Sequence, residues 1–275
     1  VAGLEPLVSG TVSWAGQDLV GVQVHRRNFG MVFQDAQLFP TMTVGRNIAY
    51  GLAGLGREAQ RARVAEMLDL VGLPGYEGRR TTELSGGQAQ RVALARSLAP
   101  SPRALLLDEP LSALDTGLRR RLAEDLARIL RETHTTAVYV THAHQEAYTI
   151  ADRVAVLDDG ALLQMDDPEA LRRAPASKQV AAFLGYRAFI TEQQARTLGW
   201  HGDLPVGSVL GVGASSLVLD DDGVGVEVVD QGYTPDDVEI GVRLPDGQRA
   251  TVSSPERVHS PTVRVRLVGG AVTPA

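Results

Sequence analysis

The chain has 275 residues, enough for one sizeable α/β core and a smaller second domain, and its net charge of -6 argues against nucleic acid as a partner, since such binding rests on phosphate neutralisation. It contains no cysteine, which excludes disulfides, thiol catalysis and cysteine metal sites, and no apolar run of about eighteen residues that would span a bilayer. Lys178 is the only lysine and has no glycine near it, so the phosphate loop G-x-x-x-x-G-K-S/T is absent from the sequence.

In chain order, Asn28 to Gln34 reads as a strand with a polar exit, and Gln34 taken alone is a surface glutamine. From Val44 to Leu73 the apolar residues recur at helical intervals, with Val64, Met67, Leu68 and Val71 on one side and Arg61, Arg63, Glu66 and Asp69 interleaved. Gly72, Pro74, Gly75 and Gly78 break that pattern, and Arg79 and Arg80 read as solvated loop charge. Leu84-Ser85-Gly86-Gly87-Gln88 follows. Ser85, Gly86 and Gly87 open a helical run, Gln88 to Ala99, so bare amides and a helix N-terminus face one point and offer an anion site. The apolar run before Asp108 reads as a strand buried on both faces, delivering Asp108 and Glu109 at the C-terminal edge where open α/β sheets place their ligands. Two carboxylates there suit a metal and a base. Each half alone is common in α/β proteins; the combination is far more specific.

Thr116 to Glu132 carries Leu118, Leu122, Leu126, Ile129 and Leu130 as an amphipathic helix, on which Arg119-Arg120-Arg121 reads as solvated charge because its members point in different directions. Thr135 to Val140 is rich in β-branched residues and reads as a second buried strand, ending at Thr141-His142. His142 and His144 have no third ligand near them and are not read as a metal site. Arg153 to Leu157 and Ala161 to Met165, joined through Asp159-Gly160, signal a hairpin, and two short helical patterns follow at Pro168 to Arg173 and Ser177 to Leu184. Beyond about Phe189 the period changes. Val238, Ile240, Val242 and Leu244 alternate with polar or small residues, as do Val263, Val265 and Leu267 with Arg264 and Arg266, and Asp246-Gly247 supplies a turn, so a small antiparallel β-domain is expected. Asp220-Asp221-Asp222 reads as a loop.

Together these stretches resemble the nucleotide-binding subunits of ABC transporters. Leu84 to Gln88 match the signature motif, Leu105 to Glu109 look like the Walker B strand, Pro110 to Asp115 match the D-loop, and Gln34 and His142 match the Q-loop glutamine and the switch histidine. Leu38 to Val44 and Asn47-Ile48 match as well, whereas Ala143 stands where the family usually has an acidic residue. The resemblance implies an α/β, P-loop NTPase-type ABC ATPase core at residues 1–186, incomplete because its Walker A region is missing, with a helical subdomain at about 36–100. It also implies a small antiparallel, TOBE- or OB-like accessory domain at 187–275, where Val242 to Gly247 is similar to the domain carried by importer ATPases for iron, oxyanions, polyamines and thiamine. Val1 to Pro6 looks like the tail of the helix that follows the P-loop, so the chain is expected to lack its N-terminal part and to hydrolyse ATP negligibly by itself.

The implied cofactors are ATP and magnesium. Asp108 would hold the metal together with Gln34, Glu109 would act as general base, and His142 and Gln34 would sense the γ-phosphate. Ser85, Gly86, Gly87 and Gln88 would bind ATP held by the opposite subunit, and Asp115 would tune that junction. Implied partners are a second ATPase subunit in a homodimer, membrane permease subunits and, indirectly, a solute-binding protein; no nucleic acid is implied. The implied place is the cytoplasmic face of the cell membrane, and the implied work is ATP hydrolysis driving uptake of iron or another inorganic ion. Thiamine or polyamine is the alternative cargo. A soluble non-transport ABC ATPase and a non-catalytic fragment are the readings from other classes.

Overall fold

Val1 to Pro6 forms no helix in the computed structural model, which describes residues 1–234 and 237–275. The expected helical tail is absent because a segment this short, carrying Gly3 and Pro6, cannot offset the cost of a helix nucleus with tertiary packing. Arg27 fastens the segment instead, donating to the carbonyls of Val1 (2.6 Å), Leu19 (2.8 Å) and Val22 (2.9 Å). Between these anchors lies a small hairpin, β1 (Ser13–Trp14) and β2 (Gln17–Asp18), whose turn residues Ala15 and Gly16 both have positive φ, as a type I′ connection requires.

Three parallel strands, β3 (Phe29–Val32), β4 (Ala104–Asp108) and β5 (Thr136–Val140), lie in that order in one sheet. Between β3 and β4 come α1 (Val44–Ala49), α2 (Arg57–Leu70) and α3 (Gly86–Leu98); α4 (Thr116–Glu132) precedes β5, and α5 (His144–Ile150) follows it. The helical pattern from Val44 to Leu73 is broken by Gly51, Gly54 and Gly56, which separate α1 from α2. Val32, Leu105 and Leu107 of the sheet share one core with Ile48, Met67, Leu68, Val92, Leu98 and Ile129 of the helices. Each such side chain contributes about 1.5–3 kcal/mol by leaving water. β4 is buried from Ala104 to Leu107, as its composition implies. β5 departs from that expectation: Ala137 and Tyr139 pack on the core, while Val138 and Val140 are 48% and 49% exposed. The strand forms because β4 pairs with it, but only one of its faces is well covered.

The chain divides after Ala151 into two units. The second opens with a hairpin in a sheet of its own, β6 (Val154–Asp158) and β7 (Ala161–Asp166), turned through Asp159 and Gly160, again both at positive φ. α6 (Pro168–Arg173) and α7 (Lys178–Phe183) follow, then β8 (Ala188–Ile190), α8 (Glu192–Thr197), β9 (Ser208–Val212), β10 (Leu217–Tyr233), β11 (Val238–Arg243), β12 (Arg249–Ser254), β13 (Thr262–Leu267) and β14 (Ala271–Pro274). They build two antiparallel sheets, β14-β9-β8 and β12-β11-β10-β13. In this unit α6 and α7 pack against β14, and Leu171, Val180 and Ala181 of the two helices are buried.

The alternation read in β11 is fulfilled, with Val238, Ile240 and Val242 buried, and the turn at Gly247 closes with a hydrogen bond from its N–H to Leu244 O at 2.9 Å. The side-chain amide of Gln248 pairs with the backbone of Phe189, accepting its N–H at 2.9 Å and donating to its carbonyl at 3.0 Å, so it ties one sheet to the other. Asp220 to Asp222 are a correction: they lie within β10, at an irregularity between Leu219 and Val224 in its pairing with β13. A bulge provides the extra chain length that the sequence suggests for a loop.

Candidate functional site

The C-terminal edge of the parallel sheet collects the chemistry. β4 ends on the exposed Asp108, whose Cα registers against Val140 of β5, and Glu109 follows with φ 44°. A non-glycine residue in the left-handed region is strained, and such strain gathers at functional sites. Glu109 is held there from both sides. Its amide donates to Val140 O at 3.0 Å, and its carbonyl accepts from the amide and hydroxyl of Ser112 at 3.2 and 2.9 Å. The turn aims its carboxylate across to β5's exit, where Glu109 Oε1 lies 2.8 Å from His142 Nε2. The histidine side chain is 84% exposed and the carboxylate 26%, so the pair is open to a ligand.

Gln34 stands two residues beyond Val32, which registers against Leu107, and is exposed at the same sheet edge. Its loop is held by α3: Gln90 donates to Phe33 O at 3.4 Å, and Arg96 donates to Ala36 O and Gln37 O at 3.2 and 2.8 Å. Gln34 and Asp108 make no side-chain hydrogen bond among the described residues; of the four predicted residues at this sheet edge, Glu109 and His142 are the two in contact.

At Leu84 to Gln88 the structure shows how the helix start is made. Ser85 is the N-cap of α3: its hydroxyl accepts from Gln88 N at 3.3 Å, and Gln88 Oε1 accepts from Ser85 N at 3.0 Å. This capping box is written in the sequence as S-x-x-Q. The first intrahelical bond runs from Ala89 N to Ser85 O, so the amides of Gly86 and Gly87 precede the hydrogen-bonded ladder. The two glycines differ. A Cβ on Gly87 would lie 3.0 Å from Leu118 Cδ2, so packing on α4 keeps it bare, whereas a Cβ on Gly86 would meet only Leu114 at an ordinary 3.7 Å. Asp115 caps α4, accepting from Leu118 N at 3.0 Å. The two helix starts therefore adjoin.

Sequence reading missed a buried polar group beside this edge. Glu146 of α5 is 5% exposed at its side chain, and its Oε2 accepts from Tyr139 OH at 2.6 Å and Thr141 Oγ1 at 2.7 Å. Burial first, then the hydrogen bond and charge of Glu146, push the Tyr139 phenol above its ordinary range, so it is a neutral donor. Arg119 corrects the reading of a solvated triple arginine: it is half-buried, donates to Ser112 O and Leu114 O at 3.2 and 2.8 Å, and faces Glu146 Oε1 at 3.7 Å. Its spacing gave no hint of this, because its partners lie on a loop and on another helix.

Residues 1–112 match the description of the ABC transporter family. The chain is 46% identical over 238 residues to a Fe(3+) ions import ATP-binding protein of Streptomyces coelicolor, covering 84% of this chain and 68% of that relative. The chain belongs to the ABC transporter family. It is also 44% identical over 210 residues to a spermidine/putrescine import ATP-binding protein of Ruegeria pomeroyi, and 49% identical over 186 residues to a sulfate/thiosulfate import ATP-binding protein of Chromobacterium violaceum. Those matches cover 76% and 67% of this chain, which spans 57% and 51% of the two relatives. The family match on 1–112 takes in Gln34, Ser85 to Gln88, Asp108 and Glu109; Asp115 and His142 lie beyond it. Among the described residues no helix is long and apolar enough to cross a membrane.

Proposed function

We propose that this chain supplies catalytic and phosphate-binding residues to the ATPase of an ABC importer, and the observation that carries the reading is the 2.8 Å contact between Glu109 and His142 at the sheet edge where Asp108 emerges. Phosphoryl transfer to water needs positioned phosphates, an oriented water and donors for the developing charge. Glu109, fixed in an unusual backbone conformation and still partly exposed, orients the attacking water and takes its proton. His142 donates from its ring toward the transferring phosphate, and Gln34 reports on the same point from β3's exit. The phosphate-loop lysine is not among these 275 residues, so the nucleotide's β and γ phosphates need a cradle these residues do not provide.

Magnesium fits the donors present. It keeps several waters and takes only one or two carboxylates beside the nucleotide's phosphates. The exposed Asp108 suits that demand, and no cluster of three metal-binding side chains exists among the described residues to offer a dedicated cage. Bound there, the metal would neutralise phosphate charge. Ser85, Gly86 and Gly87 present a capped helix start with spare amides, a fit to the γ-phosphate of ATP on a second copy, with Asp115 at that junction. The relatives' names speak of import and ATP binding, which supports a part in solute uptake; permease subunits and a place at the cytoplasmic membrane face are the rest of this proposal. Iron(III) is the first candidate cargo because the first two relatives carry that name, with polyamine and sulfate behind it.

The test is Glu109→Gln in the gene's full-length product. Turnover should fall by roughly 10²- to 10⁴-fold, the range for a positioned acid-base group, while ATP still binds. Near-normal turnover would remove Glu109 from this role.

A further inference from the structure

We infer that Glu146 is a positioning residue for the site, a buried strut that fixes the His142 turn and the Pro110 to Asp115 segment relative to each other; this rests on the proposed function. Three side chains converge on its carboxylate. Oε2 takes the Tyr139 hydroxyl from within β5 and the Thr141 hydroxyl from β5's exit, and Oε1 faces Arg119 of α4. Thr141 then acts in both directions. It donates to Glu146 at 2.7 Å and accepts from Ala143 N at 3.0 Å, so His142 sits between two residues whose positions one hydroxyl sets. The hydroxyl bond supplies local order at a turn where Ala143 has no polar side chain to offer.

On the other side, Arg119 carries the connection to the loop after Glu109. Its guanidinium holds Ser112 O and Leu114 O, and the Ser112 amide and hydroxyl in turn hold the carbonyl of Glu109. A chain of contacts therefore runs from the strained backbone of Glu109, through Ser112, Arg119, Glu146 and Thr141, to the turn that presents His142. It ends where it began, at the 2.8 Å contact of Glu109 with His142. The loop closes around the catalytic pair without any of its inner members reaching solvent as freely as His142 does. The Nε of Arg119 is buried and has no hydrogen bond, and it faces Glu146 Oε1 at 3.7 Å. A buried carboxylate at 5% exposure is held in place by such partners, and each of these partners touches a segment of the site.

A purely structural glutamate would lower stability without acting through His142. The distinction is measurable in the gene's full-length product. Glu146→Gln keeps the shape and one acceptor but loses the charge facing Arg119. We expect kcat to fall by up to about 10²-fold, the cost of a misplacement near 1 Å, with KM for ATP nearly unchanged. Because the strut acts by setting His142 against Glu109, its loss should add nothing once the imidazole is gone: the double variant Glu146→Gln/His142→Ala should be no slower than His142→Ala alone. A second pair covers the case in which Glu146→Gln does not fold: Thr141→Val should slow kcat similarly and Thr141→Ser should restore it. The inference is overturned if Glu146→Gln turns over at the normal rate, if the double variant loses the product of the single losses, or if Thr141→Val matches Thr141→Ser. Glu109→Gln, assayed alongside, separates the two failures. If it is slow while the Glu146 and Thr141 variants are normal, only the strut is wrong; if it too is normal, the proposed function itself fails.

Discussion

β5 and β11 are alike on paper and unlike in the molecule. Both are short strands rich in β-branched residues, yet β11 buries Val238, Ile240 and Val242 while β5 leaves Val138 and Val140 about half exposed. The difference is not propensity. β11 lies between β10 and β12, and its apolar face closes against a second sheet that includes Leu210 and Val212. Among the described residues β5 has one pairing neighbour, β4, and one covered face. What decides burial is the layer that arrives from elsewhere in the chain, which a strand's own letters do not encode.

The largest effect that tests this contrast is in β11. Ile240 is fully buried, and Ile240→Ala should cost about 2–5 kcal/mol, since the removed methyls leave a cavity among side chains of both sheets. The check is unit-resolved hydrogen exchange across a denaturant series, because a chain of two units need not unfold in one step. A loss below about 0.5 kcal/mol, the size expected of a surface change, would mean that the second unit's core is not organised as described.

The matching change in β5 should do much less. Val138→Thr keeps the β-branched shape and places a hydroxyl where the side chain is already 48% exposed, so the expected shift lies within about 0.5 kcal/mol. The same substitution at a closed position would bury an unpaired hydroxyl and cost about 1–3 kcal/mol. A loss of that larger size, measured by the same exchange experiment, would show that β5's outer face is covered in solution and would erase the contrast with β11.

The same logic separates what was legible in the sequence from what was not. The boundaries of α4, the emergence of Asp108 and Glu109 at the C-terminal edge of a buried strand, and the alternation of β11 follow from local pattern and from the rule that α/β sheets present ligands at that edge, whereas Gln34 and His142 were reached through the family resemblance and the strand order was not encoded locally. The capping box of Ser85 and Gln88 went unread although its signal, a Ser followed three residues later by Gln, is local. The positive φ of Glu109 was not legible, because glutamate has no preference for that region and only the bonds to Val140 and Ser112 hold it there. Nor were the roles of Arg119 and Glu146, which are 27 residues apart and meet only once α4 and α5 are packed. Composition likewise mistook Asp220 to Asp222 for a loop, since three acids in a row look like a turn unless a cation from a neighbouring strand is known to stand beside them.

That cation gives the smallest prediction. Arg266 Nε of β13 donates to Asp220 Oδ2 at 2.5 Å, and this bond first, with the Asp222 amide second, holds the Asp220 carboxyl below the usual carboxylate range. A depressed folded-state pKa means that the unfolded chain binds the proton more readily, so the contribution is fully present above the unfolded value of about 3.9 and disappears as pH falls through the lower folded value. Asp220→Asn should therefore be slightly less stable than the parent at pH 7 and should converge with it in strong acid. Asp220 is half-buried and its partner Arg266 is exposed, so salt reaches the pair from one side and the gap should also shrink somewhat as salt rises. If the two proteins differ by the same amount at every pH, then Asp220 matters through the shape of the bulge alone, and its pairing with Arg266 adds nothing to the sheet that keeps β11 closed.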